Sequence, residues 1–342
     1  MAEEGTAPRW VPRLATRADL PAIHDLYRTV WGVGRSAEHL AWKLFDAPFD
    51  PIPPVLAMDG ERCAGVYAVI STPLILDGAK VMGAQSVDTM THPDYRRQNM
   101  SVTLARFCYA EAERRGFTLV YGVPNENSYP MFMKKLDWRH IDDVVRHVRP
   151  LCAPKRVPRL LAGPLDMALG LHAGAAALLG PRARVVPVRP ETHVVLPDIP
   201  PPRARCVVDK SAQWFAWRYG AEPGGHYEML TLGAPDRPDA LVLFDQVAGE
   251  GDAPSLLRIS EWMATSSRAQ TAALKAVVAL ASRRGCSSVF LFTNDPQAGA
   301  LLKRNLFFRR ETMPLCLGGL GAFKAREPDR AGALVVLGGD KD

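Results

Sequence analysis

Apolar residues along the first third of the chain change rhythm twice. After a short extended stretch near residue 14, Ile23, Leu26, Tyr27 and Val30 recur at helical spacing. Asp19 ahead of Leu20-Pro21 is the predicted N-cap, with proline in the first turn. A second helix is predicted over 37–45. Three strand signals follow: 55–58, closed by Asp59-Gly60; 65–76, rich in β-branched residues and closed by Asp77-Gly78; and 80–91. Such a run reads as an antiparallel meander. Beyond it a loop over 92–99 leads into a helix over 101–115, where Val102, Ala105, Tyr109 and Ala112 share a face and Gly116 supplies the stop. A short buried strand over 119–123, a helix over 125–136 and a strand over 138–148 complete the pattern.

The second half repeats this order. Ala281-Ser282-Arg283-Arg284-Gly285 mirrors Ala112-Glu113-Arg114-Arg115-Gly116, and the same displacement carries Asn125 to Asn294 and Lys134 to Lys303. Phe215-Ala216-Trp217-Arg218-Tyr219 resembles Leu40-Ala41-Trp42-Lys43-Leu44 at a slightly different offset. Agreement at separated places points to a tandem duplication. A length of 342 residues suits two cores better than one. The expected organisation is a first domain over 1–150, an apolar helix and Pro-rich linker over 151–204, and a second domain over 205–342.

Composition narrows the class. Hydrophobic residues make up 47% and charged residues 23%, the balance of a globular protein rather than a disordered one. The net charge of +6 comes from arginines scattered through the chain, without the dense stripe a nucleic-acid groove demands, so no nucleic acid partner is expected. Six cysteines stand far apart, with no Cys-x-x-Cys and no neighbouring histidine, so no metal is expected and the thiols read as reduced, as in a cytoplasmic protein. The acidic, polar opening MAEEGTAPRW lacks the basic start and apolar core of a signal peptide. Residues 160–180 are nearly all apolar over a membrane-crossing length, but Pro164, Asp166 and His172 interrupt them. No integral span is expected there; the segment reads as a buried or interdomain helix, with peripheral membrane contact as the alternative.

The chemistry concentrates in one stretch: Val87-Asp88-Thr89-Met90-Thr91-His92-Pro93-Asp94-Tyr95-Arg96-Arg97-Gln98-Asn99-Met100-Ser101, followed by a helix. A strand, then x-Pro-x-Tyr-Arg, then an Arg-rich loop opening a helix resembles the GNAT superfamily of N-acetyltransferases, whose loop reads R/Q-x-x-G-x-G/A. Asn99 stands at the family's central glycine and Ser101 at its final Gly/Ala. Unpaired amides and the positive end of a helix dipole form an anion site, and asparagine is the non-glycine residue best suited to positive φ. The resemblance implies an α/β (α+β) fold of two tandem GNAT-like domains, each a mixed, mainly antiparallel sheet flanked by helices. It implies acetyl-CoA, or another acyl-CoA, as cosubstrate. Its pyrophosphate would lie on Arg96, Arg97, Gln98, Asn99, Met100 and Ser101, and its thioester against Thr89, Met90 and Thr91, where the fourth and fifth strands splay apart. Asn125 and Asn127 sit where the family contacts the pantetheine arm, or cap the helix. Asp88 is the candidate base, or a strand aspartate facing solvent. Phe132–Trp138 places Met133 at the family's tyrosine and Asp137 at its glycine, so Tyr129 is the candidate acid, or a packing residue.

In the second copy the equivalent loop, Met263-Ala264-Thr265-Ser266-Ser267-Arg268-Ala269-Gln270-Thr271, has lost every element of this motif. The second domain is therefore expected to be structural. The implied activity is acyl transfer to a primary amine of a small molecule, such as an amino sugar or amine metabolite, by direct attack in a ternary complex. Two alternatives stand beside it: a non-catalytic binding or scaffold protein, and a long-chain acyltransferase at a membrane surface. Oligomeric state stays open.

Overall fold

The computed structural model describes residues 9–32, 35–153, 183–199, 206–249, 251, 254–324 and 334–340. Contacts divide the chain into two units, 1–142 with 222–224 and 314–333, and 143–221 with 225–313 and 334–342.

Unit 1 opens with β1 (Val11–Leu14), α1 (Leu20–Trp31) and α2 (Ala37–Phe45), then β2 (Val55–Asp59), β3 (Arg62–Leu76) and β4 (Ala79–Thr91). The two Asp-Gly turns form as the sequence requires, with φ of 60° at Gly60, 50° at Asp77 and 81° at Gly78. α3 (Met100–Arg114), β5 (Leu119–Gly122) and α4 (Tyr129–Lys135) follow. All pairings from β1 to β4 are antiparallel, while β4 and β5 run parallel. The face of α3 bearing Leu104, Ala105, Cys108 and Ala112 packs against Val55, Ala57, Tyr67, Val69 and Ala84. Gly65 is required where α3 begins, because a Cβ there would stand 2.4 Å from Met100 Sδ.

Two local expectations need detail. Asp19 occupies the N-cap position of α1 as expected, but its side chain makes no capping bond to that helix; its carboxylate accepts from Arg13 at 2.6 and 2.8 Å and from the Thr16 amide at 2.7 Å, closing the turn before the helix. The helix expected from 125 begins only at Tyr129, because Asn125 Oδ1 accepts the amides of Asn127 at 3.1 Å and Ser128 at 3.0 Å and holds a separate turn.

Unit 2 contains β7 (Arg184–Pro187), β8 (Cys206–Val208), α5 (Ala212–Phe215) and a wide helical turn over Ala216–Gly220. β9 (Glu228–Ala234), β10 (Arg237–Val247), β11 (Leu256–Ala264), α6 (Ser267–Arg283), β12 (Ser288–Thr293) and α7 (Pro296–Arg304) follow. The order from β9 to α7 repeats that from β2 to α4, and β11 and β12 are again the parallel pair. Its core gathers Val242, Phe244, Ile259, Leu274, Val277 and Leu291.

The last strand of each repeat completes the other sheet. β6 (Arg139–Pro150) follows α4, yet its residues 145–150 pair with β12 in unit 2. β13 (Phe308–Gly319) follows α7, yet Cys316–Gly319 pair with β5 in unit 1. Contiguous domains over 1–150 and 205–342 are therefore replaced by units that exchange a strand. After β13 come α8 (Gly321–Lys324) and β14 (Leu334–Val335), the latter paired with β8. The apolar segment 160–180 and Pro200–202 lie outside the described residues, and no described helix is long and apolar enough to cross a membrane.

Candidate functional site

β4 and β5 pair only from Gly83↔Leu119 to Gln85↔Tyr121. Beyond Gln85 the strands part. β4 then carries one extra residue, since Val66 faces Met90 and Ala68 faces Val87, leaving Asp88 and Thr89 opposite Tyr67 alone. Asp88 takes the positive φ of 42° at this bulge. The bulge turns the end of β4 away from β5 and opens a slot beside residues 88–91.

The loop leaving β4 is anchored at several points. Tyr95 is buried and its hydroxyl donates to Asp59 at 2.6 Å, while Gln98 Oε1 accepts from Trp10 Nε1 at 3.0 Å. Thr91 and Ser101 join their hydroxyls at 3.0 Å across the turn. Arg97 and Asn99 both adopt left-handed backbone, φ 64° and 53°. Asn99 thus takes the conformation a glycine would adopt without strain, and the helix starts with Val102 and Thr103 donating to its carbonyl. The amides of Met100 and Ser101 have no carbonyl of their own helix to donate to.

These features meet in a cleft of about 450 Å³ between the loop, the start of α3 and the exposed side of α4. Arg96, Arg97, Lys134 and Lys135 line it with Thr91, Gln98, Asn99, Ser101, Pro130 and Met131, and among the described residues no carboxylate lines it. Lys135 donates to the side-chain oxygen of Asn99, tying α4 to the loop. Four cations around a helix N-terminus make a site for a multiply charged anion with an apolar wall at Met131 and Pro130. Lys134 and Lys135 escape the sequence reading because a Lys pair in a last helical turn is usually a solvated end. Four cations converging from two segments would have been the signal.

Other predicted site residues take different positions. Met90 is buried between strands, and Met100 buries its side chain over Gly65, so only its backbone borders the cleft. Thr89 is half-buried on the bulge. Asp88 does not line the cleft; its carboxylate lies 2.7 Å from the Nζ of Lys43, a lysine of α2 with no exposed side-chain surface. Tyr129 also stays outside the cleft, its hydroxyl 3.3 Å from His140 Nδ1 and its ring edge-on to that imidazole. Asn125 spends its side-chain oxygen on the turn before α4, and Asn127 is exposed beside it. Asp137, at the family's glycine, has φ 56°. Below the slot, Tyr67 joins hydroxyls with Ser86 at 2.8 Å and Tyr109 at 2.7 Å. Burial pushes the hydroxyl pKa of both tyrosines well above the ordinary tyrosine value, so this pair stays protonated. Among the described residues no cluster suited to a metal ion occurs, and none of the six cysteines forms a disulfide.

Residues 11–141 match the family described as acetyltransferase (GNAT) domain. No curated protein matches the sequence. Among solved structures, a GCN5-related N-acetyltransferase from Anabaena variabilis is similar with a TM-score of 0.64 over 92% of this chain and 74% of its own, at 12% identity. A conserved protein of unknown function from Enterococcus faecalis, called a probable N-acyltransferase, gives 0.62 over 91% and 73%, at 11% identity. At such identities the likeness is one of fold, while the matched segment spans β1 to the start of β6, the part of the chain that builds the cleft. Over residues 11–141 the chain is thus similar to the GNAT acetyltransferase domain, and over most of its length it shares the fold of these two structures.

Proposed function

We propose that unit 1 binds an acyl-CoA, acetyl-CoA being the first to test, and passes its acyl group to a primary amine of a small molecule. One observation carries the reading: the cleft formed by Arg96, Arg97, Lys134 and Lys135 at the start of α3, lined by no carboxylate among the described residues, next to the point where β4 leaves β5. Arg96, Arg97 and the amides of Met100 and Ser101 would hold the pyrophosphate, with Lys134 and Lys135 on the opposite wall. The thioester supplies an activated acyl carbon to the attacking amine. The backbone of Thr89, Met90 and Thr91, along the open side of β4, would orient the acyl carbonyl. Asp88 is paired with Lys43 of α2 and does not line the phosphate cleft, so in this reading the amine would reach it from outside that cleft. In this reading its carboxylate receives the amine proton, directly or through water, while Lys43 fixes its position. Tyr129, bonded to His140, has no role in it, and a thiolate is a tolerable leaving group without an acid.

Calorimetric titration with acetyl-CoA tests the reading, alongside Arg97→Glu. Reversing one charge in a four-cation cleft is expected to weaken binding at least tenfold and to leave the thermal transition unchanged, since Arg97 is exposed. Absence of binding of acetyl-CoA and of longer acyl-CoAs to the unaltered chain would sink it.

A further inference from the structure

In unit 2 the equivalent slot is filled by the chain itself. β11 and β12 pair in parallel only from Leu256↔Ser288 to Ile259↔Leu291, and β11 then carries one extra residue opposite Leu243 and Phe244, as β4 does. The segment Leu334–Asp340 pairs with β8 at Leu334–Val335 and then turns into the gap at Leu337–Asp340. Leu337 bridges to Thr293 at the end of β12. A Cβ on Gly338 would lie 3.1 Å from the carbonyl oxygen of Ile259 and 3.9 Å from the amide nitrogen of Phe292, which places this residue between the two parted strands. One residue on, a Cβ on Gly339 would fall 1.8 Å from the Tyr219 hydroxyl and 2.6 Å from Glu261 Oε1. Close approach thus demands glycine at 339 and leaves little room for a side chain at 338.

The ends of the segment are gripped by side chains. Asn294, the counterpart of Asn125 by the internal repeat, uses both atoms of its amide on this backbone: Nδ2 donates to the Leu334 carbonyl at 2.8 Å, and Oδ1 accepts the Val336 amide at 2.9 Å. In unit 1 the same asparagine merely caps its own turn. Asp340 is ion-paired with Lys210 at 3.0 Å and accepts the Leu337 amide at 2.8 Å, and Lys210 also pairs with the buried Glu261 of the bulged strand. Leu334, Val336 and Asp340 are all at most 2% exposed. A segment resting on the surface would bury neither its apolar side chains nor its carboxylate.

We propose that the parted strands of unit 2 form a binding slot for a glycine-containing peptide that enters as a strand and ends in a tight 3-10 turn, and that its ligand is Leu334–Asp340 of the same chain. The segment takes the place that an acyl-CoA arm takes in unit 1, a comparison that rests on the reading given above, so the chain holds one cosubstrate site. The Gly-Gly pair passes the narrow point, Asn294 reads the backbone amides, and Lys210 receives the terminal carboxylate of the motif.

Hydrogen exchange read by mass spectrometry on the full chain tests this, with Asn294→Ala and Gly339→Leu. Amides of 334–340 are expected to exchange as slowly as those of β12 in the unaltered chain. In each variant they should exchange at least tenfold faster while α6 keeps its protection. Should Gly339→Leu unfold unit 2 altogether, Asn294→Ala, which deletes two hydrogen bonds and inserts nothing, decides. Fast exchange of 334–340 in the unaltered chain, or unchanged protection in Asn294→Ala, overturns the proposal. The readout involves no acyl-CoA, so failure of cosubstrate binding in unit 1 and failure of this slot are separate results.

Discussion

Asn99 holds the turn that opens α3. Its left-handed backbone, φ 53°, sets the direction in which α3 starts, where Met100 and Ser101 border the cleft. Holding a Cβ there costs about 1 kcal/mol unless the side chain compensates, as asparagine does locally and through Lys135. Asn99→Ala is therefore expected to weaken acetyl-CoA binding about fivefold, the equivalent of about 1 kcal/mol, and Asn99→Gly to keep it within about twofold. Equal losses in both variants, measured by titration, would show that the Asn99 amide and not the backbone matters. The reading of Asn99 as a glycine substitute was available from residue type alone. The pairing of Asp88 with Lys43 was not, because nothing local links two residues that meet only when α2 lies on the sheet. His147 on β6 adds a pH response. Burial and the nearby charge of Arg309 hold its imidazole below the ordinary 6.5. The unfolded chain then takes a proton near pH 6.5 while the folded one does not, so its contribution to stability is complete above pH 6.5 and falls as the pH drops below that value. Thermal melts from pH 7.5 to 5.5 should fall, and His147→Gln, which cannot titrate, should flatten the slope; parallel slopes would rule the histidine out as the cause.

At the scale of elements, hydrophobic rhythm and Asp-Gly turns sufficed to find β2, β3, β4, α3 and β5 within a few residues. Period and turn chemistry are local properties, and the meander uses nothing else. The start of α4 was misplaced by four residues because Asn125, Asn127 and Ser128 form a polar turn that helical spacing cannot distinguish from a first helical turn. Trp138, just after α4, illustrates what spacing conceals. Its ring lies 4.2 Å from that of Phe132, and Gly318 of β13 lies against it so closely that a Cβ would stand 2.6 Å from Cδ1 and Nε1. The tryptophan fits because its neighbour has no side chain. Gly318→Ala should destabilise the protein by about 1–3 kcal/mol through overpacking. Trp138→Leu in the same chain should return part of that loss, since the two act on one contact. A double-mutant cycle in urea that shows simple additivity would refute the contact as the source.

For the whole molecule, the decisive feature is the exchange of last strands, and it was illegible in the sequence for a physical reason. The alternation in β6 and β13 specifies a half-buried strand, but hydrogen bonding of a backbone carries no address, so pattern alone assigned each to the repeat it follows. The consequence concerns dissection of the chain. A fragment over 1–150 would keep the cleft residues yet lose Cys316–Gly319, leaving the edge of β5 unpaired along Leu119–Gly122, all buried in the intact protein. It would also carry β6 residues 145–150 without β12 to receive them. Two unpaired edges of apolar character invite association between copies. The fragment is expected to aggregate or to bind acetyl-CoA at least tenfold more weakly than the full chain, whereas co-expression with 151–342 should restore both strands and with them solubility and binding. A 1–150 fragment that is monomeric, melts cooperatively and binds like the full chain would mean that β5 needs no partner from the second repeat, and that the first repeat alone suffices for the donor site.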